Sequence, residues 1–308
     1  MDKKKGVLLM AYGTPDKLDD VEAYYTHIRH GKKPTPEEVR NLKERYSLIG
    51  GRTPLLEITQ STATKLGVAL ESNRVRVYAG MKHWHPYISE VFPKIVSDGN
   101  SELLSIALAP HYSKMSIGSY EDAVREASKE SGGNLNLSFV KSWHLNRVFI
   151  DKWGGRVDRA TSEHFGSQRG DVFYLFTAHS LPERILGWGD PYKDQLIETS
   201  SKIAGQLSIK PSNFGFCFQS AGHTSEPWLG PDLPDKLKEL AAEGKKNILV
   251  CPIGFVSDHL EILFDIDTEA REAAEKLGVK LARTESFNDS DDFIAVLKSV
   301  VEESGFVK

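Results

Sequence analysis

The sequence predicts an α/β protein built from two similar halves, each a four-stranded parallel β-sheet flanked by helices. Short apolar runs alternate with amphipathic segments along the chain, and several of these runs are apolar on both faces. Strands of this kind belong to parallel sheets that are covered by helices. Each half repeats the same rhythm of strands that lead directly into polar loops, which is a weak internal repeat. A long amphipathic segment, residues 147–165, joins the two halves.

The predicted strands are short segments rich in β-branched or aromatic residues. Because helix patterns separate them, they indicate βαβ units with parallel strands. In the first half the strands cover residues 6–12, 74–81, 103–109 and 137–143, and in the second half residues 172–179, 214–218, 247–253 and 279–284.

The predicted helices show apolar positions spaced three and four residues apart. Residues 35–50 illustrate the signals for the ends of a helix. Thr35 can cap this helix and Glu38 completes a capping box, while Gly50 ends it. Pro36 suits the first turn. The other predicted helices are residues 18–28, 58–70, 116–130, 147–165, 192–207, 233–243 and 289–301.

Two domains follow from this division of the chain. The first is predicted to span residues 1–146 and the second residues 147–308, and the final helix, within residues 289–304, can pack back on the first domain. Ligands of open parallel sheets bind beyond the carboxyl ends of the strands, so a cleft between the domains is the expected active site. The polar residues at these strand ends are Tyr12, Lys82, His83, His111, Tyr112, His179, Ser180, His223 and His259.

The composition indicates an ordinary globular protein of the cytosol. The 308 residues are 40% hydrophobic and 27% charged, and the net charge of −4 gives no basic footprint for nucleic acid. Cys217 and Cys251 lie in apolar runs without a CxxC motif, which favours buried thiols in a reducing compartment. The basic N-terminus precedes an apolar run too short for a signal peptide. No run reaches the roughly 18 apolar residues of a membrane-spanning helix.

An acidic column is predicted after the apolar run at residues 248–256, which reads as a buried strand. On the helix that follows, Glu261, Asp265 and Glu269 are four residues apart and share one face. Like charges at this spacing repel each other and weaken a helix by a few tenths of a kcal/mol per pair. A divalent cation that rests there or passes along the column would offset this repulsion.

His179 and Ser180 follow the strand at residues 172–179. A histidine at a strand end is either structural or a proton acceptor. Ser180 raises a hydrolase interpretation, but AHSLPE lacks the glycines of the G-x-S-x-G nucleophile elbow. Pairing His179 with Glu261 would bring together an imidazole and a carboxylate, and both groups can bind a first-row metal ion.

The first half offers aromatic and basic candidates. Tyr12 in MAYGTP is either a turn residue or a cleft residue, and Lys82 and His83 in GMKHWH are either surface charges or part of the cleft wall. Arg29 and Arg45 belong to a basic patch that is either a solvated face or an anion-binding rim. Arginine suits the second role because it makes bidentate contacts with carboxylates.

These motifs resemble the ferrochelatase family along nearly the whole chain. The resemblance implies a class II chelatase-like fold with two Rossmann-like domains and the active-site cleft between them. It is closest to the short, soluble form of Gram-positive bacteria, which acts on coproporphyrin III, because Tyr12 stands where that form has tyrosine and no membrane-inserting lip is evident. The matching segments are MAYGTP, YYTHIRHGKKP, RYSLIGGRTPL, GMKH, LAPHYS, TAHSLPE, GDPY, PWLGPD and GFVSDHLEILFDIDTE.

The resemblance also implies roles for individual residues. His179 and Glu261 would flank the porphyrin centre on one side as catalytic residues and metal ligands, and Tyr12 would do so on the other side. Asp265 and Glu269 would continue the acidic path away from the ring and hold a hydrated divalent ion. The residues expected to bind the substrate are Arg29, Arg45, Thr53 and Tyr120, which would position propionates, and Lys82 and His83 at the cleft wall.

The implied reaction is the insertion of Fe²⁺ into a porphyrin, with coproporphyrin III giving coproheme in haem biosynthesis. Fe²⁺ is then a substrate, no prosthetic group is expected, and Mg²⁺ or another divalent ion can occupy the acidic path. The alternatives are a protoporphyrin IX ferrochelatase, a cobalt or nickel tetrapyrrole chelatase, and a non-enzymatic haem or metal carrier. We expect a cytoplasmic monomer that binds porphyrin and ferrous iron and transiently contacts neighbouring haem-pathway enzymes.

Overall fold

The computed structural model describes residues 4–71, 74–132, 134–222 and 226–307. Within these residues the strands form two parallel sheets of four strands each, flanked by helices. His223, which the sequence predicts in a strand-end loop, lies outside the described residues. Among the described helices, none is both long enough and apolar enough to cross a membrane.

The first sheet is built around β1. Its strands are β1 (Lys4–Ala11), β2 (Val75–Met81), β3 (Asn100–Ala107) and β4 (Asn136–Val140). They lie in the order β2-β1-β3-β4. In β1, Val7 and Leu9 are fully buried, since helices cover the sheet. Leu9 pairs with Ala79 of β2 and Ile106 of β3, which fixes the register of the three strands.

The second sheet repeats this arrangement around β5. Its strands are β5 (Val172–His179), β6 (Phe214–Gln219), β7 (Asn247–Cys251) and β8 (Lys280–Arg283). They lie in the order β6-β5-β7-β8, so that β5 takes the place that β1 has in the first sheet. The run at residues 248–256 was predicted as one strand, but the strand ends at Cys251 and the rest of the run is a loop.

Helices connect the strands and carry the caps that the sequence predicts. In α2 the Thr35 hydroxyl accepts from the Glu38 N–H at 3.2 Å, and the Glu38 carboxylate accepts from the Thr35 N–H at 2.6 Å. The helices are α1 (Val21–Ile28), α2 (Pro36–Leu48), α3 (Leu55–Ala69), α4 (Ile88–Ser97), α5 (Ser119–Glu130), α6 (Arg147–Phe165), α7 (Tyr192–Gln206), α8 (Leu233–Ala242), α9 (Leu260–Leu263), α10 (Arg271–Lys276) and α11 (Asp291–Glu303).

Helix α4 is absent from the sequence prediction. Pro93 lies inside it, and an internal proline normally argues against a helix. The first turn is nevertheless stabilised, because the Glu90 carboxylate accepts from the Tyr87 N–H at 2.8 Å. Buried Phe92 and Ile95 then attach the helix to the first sheet. Tertiary packing therefore overrides the local signal here.

The helix predicted after residue 259 is interrupted by a wider turn. Between α9 and α10, residues Asp265–Ala270 form a π-helix. In this segment the Glu269 N–H donates to the Phe264 carbonyl, five residues back, at 2.9 Å. Short π-helical segments occur frequently at functional sites. The predicted acidic residues therefore do not lie on one regular α-helix.

The last helix contacts both halves. Helix α11 packs against α3 and α6. Just before it, the Asp289 carboxylate accepts from the Ser61 hydroxyl at 2.6 Å and from the Lys65 ammonium at 2.8 Å, both on α3. Leu66 of α3 and Val300 of α11 belong to the same apolar cluster. The final helix thus attaches the end of the chain to the first half.

Candidate active site

Polar side chains of both halves meet at the carboxyl ends of the strands. Tyr12 follows β1, Lys82 and His83 follow β2, and His179 is the last residue of β5, while Glu261 lies on α9 beyond β7. Burial raises the pKa of Tyr12 well above its usual value, and the nearby Glu261 carboxylate raises it further. The charge of Glu261 therefore acts on Tyr12, although the two residues belong to opposite halves.

His179 is held between two hydrogen-bond acceptors. Its Nε2 lies 3.4 Å from a carboxylate oxygen of Glu261, and its Nδ1 donates to the Ser180 carbonyl. Burial lowers the pKa of His179, but the Glu261 carboxylate and the Ser180 carbonyl outweigh this and raise the pKa to about 9. The pair therefore favours the charged form of the imidazole.

Glu261 is the charged partner of two histidines. Its second carboxylate oxygen lies 3.4 Å from Nε2 of His259, whose Nδ1 donates to the Ser257 carbonyl at 3.1 Å. Burial alone would raise the pKa of Glu261, but His179 and His259 together lower it well below the ordinary range. His259 appears in the sequence among the strand-end residues, but nothing there predicts its contact with Glu261.

Backbone contacts position this pair. The Tyr192 hydroxyl donates to the His179 carbonyl at 3.0 Å, and the Gln219 side-chain amide donates to the Glu261 carbonyl at 2.8 Å. A Cβ at Gly254 would lie 2.5 Å from Cβ of Ala178, so only glycine allows the loop after β7 to approach β5 this closely. The end of β5 and the start of α9 are therefore held against each other.

Ser180 has a structural contact instead of a nucleophilic one. Its side chain is 1% exposed, and its hydroxyl donates to the Leu229 carbonyl at 2.7 Å. The same segment carries Trp228, whose ring centroid is 6.3 Å from that of His179. Ser180 therefore anchors the loop that brings Trp228 next to the site.

Asp265 contacts the first half directly. Its carboxylate accepts hydrogen bonds from the guanidinium of Arg45, on α2, and from the Ser220 hydroxyl. Burial nevertheless raises the pKa of Asp265 to about 6. The guanidinium also lies 4.6 Å from the ring centroid of Phe264. Arg45, predicted to bind a propionate, and Asp265, predicted to hold an ion, therefore neutralise each other in this state.

Glu269 lies at the outer end of the acidic residues. Its side chain is exposed, whereas Asp265 is 6% exposed. Its charge adds to the effect of burial in raising the pKa of Asp265. The predicted acidic column is thus a graded series in which Glu269 is exposed, Asp265 is buried and bonded, and Glu261 faces the cleft.

Tyr12 rests on a buried histidine. Its side chain is 41% exposed, and its ring centroid lies 4.4 Å from that of His83. His83 is 6% exposed, and its Nδ1 lies 3.1 Å from Nδ1 of His27. Burial, assisted by the charge of Lys82, lowers the pKa of His83 to about 3, so that this imidazole is neutral. His83, predicted at the cleft wall, lies beneath Tyr12.

Lys82 and Tyr120 form a neighbouring contact. The Lys82 ammonium donates to the Ser119 hydroxyl and lies 5.2 Å from the ring centroid of Tyr120. Burial lowers the pKa of Lys82 to about 8. Tyr120 is 5% exposed, so the structure brings the two predicted substrate-binding residues together on the inner wall of the first half.

The remaining predicted residues are engaged within the first half. Arg29 makes an ion pair of 2.6 Å with Glu38 of the α2 capping box. The Thr53 hydroxyl is buried and donates to the Thr14 hydroxyl at 3.0 Å, which in turn lies 3.2 Å from the Tyr46 hydroxyl. Thr53 therefore supports the MAYGTP loop from beneath and offers no free hydroxyl in this state.

Asp190 makes a contact between the two halves that the sequence analysis missed. Its carboxylate accepts from the Ser113 hydroxyl at 3.0 Å and from the Lys114 N–H at 2.8 Å, both in a first-half loop. It also accepts from the Tyr192 N–H at 3.1 Å. The GDPY segment gave a turn signal, but an aspartate that receives donors from a loop almost eighty residues away has no local signature.

The arrangement presents a proton-exchanging pair on one side of the cleft and a neutral phenol on the other. His179 and Glu261 can exchange protons with a molecule between the halves, and Glu261 and Tyr12 can offer it oxygen ligands. Among the described ranges, no three His, Cys, Asp or Glu side chains are grouped so that they could hold one metal ion together.

Known proteins resemble the chain over its full length. The ferrochelatase family model matches residues 4–305. The chain is 47% identical over 304 residues to a ferrochelatase of Herpetosiphon aurantiacus, with 98% of this chain and 99% of that protein covered. It is 42% identical over 307 residues to a coproporphyrin III ferrochelatase of Oceanobacillus iheyensis, with 98% and 97% covered. It is also 42% identical over 306 residues to coproporphyrin III ferrochelatase 1 of Bacillus anthracis, with 98% and 97% covered.

A solved structure shares the fold at low identity. The sirohydrochlorin chelatase SirB from Bacillus subtilis subspecies spizizenii, in complex with cobalt, aligns with a TM-score of 0.58 and 10% identity, over 98% of this chain and 95% of that one. This likeness confirms the predicted chelatase-like fold. Together with the match to residues 4–305 and the full-length relatives, it leads to one assignment: the chain belongs to the ferrochelatase family.

Proposed function

We propose that this enzyme inserts Fe²⁺ into coproporphyrin III and releases coproheme. The observation that carries the proposal is the ion pair of His179 and Glu261, whose carboxylate also raises the pKa of Tyr12 in the other half. Metal insertion removes two protons from the ring nitrogens, so it needs a proton-exchanging group beside one face of the ring. Relatives that match the chain over its whole length are named coproporphyrin III ferrochelatases, which supports the choice of substrate.

We place the proton transfer on the pair of His179 and Glu261. Each partner favours the charged form of the other, which raises the pKa of His179 and lowers that of Glu261. His179 accepts a ring proton only in its neutral form, so it must first release its own proton to water. Both protons leave to solvent, and Fe²⁺ takes their place among the four ring nitrogens.

The acidic series is the proposed route of the metal ion. Carboxylates bind a hydrated divalent ion less tightly than thiolates bind soft metals, so Glu269 and Asp265 can exchange its water and release it again. Asp265 is bonded to Arg45 in the free protein. A propionate that binds Arg45 would compete with this contact and make Asp265 available. Mg²⁺ or another divalent ion can occupy the outer end near Glu269.

The basic side chains of the first half are the proposed propionate contacts. Arg29 and Arg45 are partly exposed and already hold carboxylates, those of Glu38 and Asp265. A propionate could take over either contact without a change in the chemistry of the guanidinium. Lys82, beside Tyr120, adds a further charge.

Thr53 and His83 have a different proposed role. Their polar atoms are bonded inside the protein, so they act on the substrate only through the loop that carries Tyr12. We also propose a cytoplasmic monomer, with transient contacts to neighbouring haem-pathway enzymes. The two described cysteines are free and buried, which suits a reducing compartment.

Anaerobic insertion assays with Fe²⁺ test the proposal. Purified protein is given coproporphyrin III or protoporphyrin IX, and the visible absorption change of the porphyrin is followed. We expect turnover of the substrate with four propionates and slow or no turnover of the substrate with two. Preference for protoporphyrin IX would overturn the substrate assignment and keep the chelatase chemistry. Binding of porphyrin without insertion of iron, cobalt or zinc would favour a carrier and overturn the proposal.

A further inference from the structure

A column of rings runs from the cleft to the outer surface of the first half. The ring centroids of Tyr12 and His83 are 4.4 Å apart, and those of His83 and His27 are 5.3 Å apart. His27 then packs on Tyr87 at 5.0 Å, and Tyr87 packs on His85 at 4.5 Å. The proposed function uses the ring of Tyr12. The other four rings, those of His83, His27, Tyr87 and His85, continue the column behind it.

The contact between His83 and His27 sets the orientation of both rings. Their Nδ1 atoms are 3.1 Å apart, and a hydrogen bond between two ring nitrogens requires that one carries a proton and the other does not. His83 is 6% exposed, so without His27 its Nδ1 would lose this partner in a site that admits little water. His27 therefore fixes both the rotation of the His83 ring and its tautomer.

The side chain of Tyr12 depends on the side chain of His83 for support, whereas the backbone of Tyr12 does not. The Tyr12 carbonyl accepts from the His83 N–H at 2.8 Å, and this backbone bond holds the loop whatever the side chains do. The phenol ring itself is 41% exposed and packs against the His83 imidazole with an angle of 49° between the ring planes. A turned imidazole would remove that surface and leave the phenol free to move in the cleft.

We propose that His27 is a positioning residue for Tyr12 and acts through His83. The inference rests on the proposed function, because it assigns His27 to the side of the cleft opposite the ion pair. His27 does not contact the substrate. It holds the imidazole on which the phenol lies, and so keeps the phenol oxygen directed at the porphyrin centre.

Two amide variants of His27 test the proposal. The amide nitrogen of asparagine lies close to the place of Nδ1, whereas glutamine reaches the place of Nε2, so only His27→Asn can keep the contact with His83. We expect His27→Gln to lower kcat for iron insertion about tenfold, as is typical when the partner behind a ligand is lost, with an unchanged KM for porphyrin. His27→Asn should stay within about twofold of the wild type. His85→Gln removes a ring at the far end of the column and should leave kcat unchanged.

A double-variant cycle separates positioning from a general effect on the fold. In a Tyr12→Phe background, His27→Gln should cause no further loss of kcat, because the group that it positions is gone. An equal loss in both backgrounds would overturn the proposal, and so would equal rates for His27→Asn and His27→Gln. The midpoints of thermal unfolding show whether either variant is simply less stable.

Crystal structures give a readout that does not require activity. In His27→Gln the Tyr12 ring should leave the face of His83, whereas in His27→Asn it should stay. An unmoved ring in both variants would overturn the inference. If the wild-type protein inserts iron into no porphyrin, the proposed function fails, and the two structures still decide whether His27 positions Tyr12.

Discussion

The two halves share one sheet order but place their buried cleft residues beside different partners. In the first half, burial favours neutral forms, lowering the pKa of Lys82 to about 8 and that of His83 to about 3. In the second half, burial acts in the same direction on His179, yet its partner Glu261 outweighs it and the pKa rises to about 9. The difference lies in the partner, since a desolvated group keeps its charge only beside an opposite one.

This contrast assigns different tasks to similar positions. Tyr12 follows β1 and His179 ends β5, and these two strands occupy equivalent places in their sheets. A neutral phenol can supply an oxygen contact without binding protons at neutral pH, whereas an ion pair can exchange them. Repetition of the scaffold thus provides two equivalent strand ends, and the residues at these ends differ in their side-chain chemistry.

Removing the imidazole of the ion pair should produce the largest effect. We expect His179→Ala to lower kcat for iron insertion by about 10²-fold or more, the range of lost acid–base catalysis. Porphyrin affinity, measured by fluorescence quenching, should change little because other residues bind the propionates. His164→Ala, which removes an exposed histidine at the end of α6, is the matched control. Normal turnover of His179→Ala would show that the ion pair of His179 and Glu261 is not needed for iron insertion.

Neutralising the carboxylate should reverse the charge state of His179. In Glu261→Gln, burial is left as the leading influence, so the pKa of His179 should fall from about 9 to below its ordinary value of 6.5. An NMR titration of the His179 ring proton measures this shift. Glu198→Gln, which affects the separate pair with His144, should leave the shift of His179 unchanged. A pKa of His179 that stays near 9 in Glu261→Gln would mean that Glu261 does not cause the raised pKa of this histidine.

The same variant should change how stability depends on pH. A histidine whose pKa is raised by folding adds stability that is complete below its unfolded pKa of about 6.5 and is lost as the pH rises through the folded value. The free energy of unfolding of the wild type should therefore exceed that of Glu261→Gln most clearly between about pH 4.5 and pH 6.5, because the lowered pKa of Glu261 makes this stability fall again in more acidic solution. The difference should shrink towards pH 9, and chemical denaturation at several pH values measures it.

The smallest effect is expected at the exposed end of the acidic series. Glu269→Gln should raise the KM for Fe²⁺ about two- to fivefold, the size of one exposed charge interaction, with little change in porphyrin affinity. Glu272→Gln makes the same charge change three residues away, also at an exposed position, and should have less effect. A change in porphyrin affinity alone would contradict a role of Glu269 in the path of the metal ion.

Most of the framework follows from local sequence signals. The strand at residues 172–179 and the helix at residues 147–165 have the predicted ends, because apolar periodicity and flanking polar residues mark them clearly. The strand-end rule also places Tyr12, His83 and His179 at or just after the carboxyl ends of their strands, where the structure has them. The division into domains at residues 146 and 147 and the roles of the site residues stay predictions.

Contacts between distant segments could not be predicted in the same way. Arg45 and Asp265 are 220 positions apart and meet only because two separate halves enclose a cleft. Arg45 is predicted to bind an anion and Asp265 a cation, and in the folded protein the two side chains bind each other. The bond between His27 and His83 is similar, since neither position carries a local sign of its partner.

The position of the last helix determines what would happen if the two halves were separated. A single cut between residues 146 and 147 would leave α11 on the second fragment. However, Asp289 accepts a hydrogen bond from α3 of the first fragment, and Val300 lies in the same apolar cluster as α3. The first fragment would then expose an apolar surface, and the second would carry a helix without part of its support. The architecture is therefore a duplicate in outline, and its last helix joins the two halves.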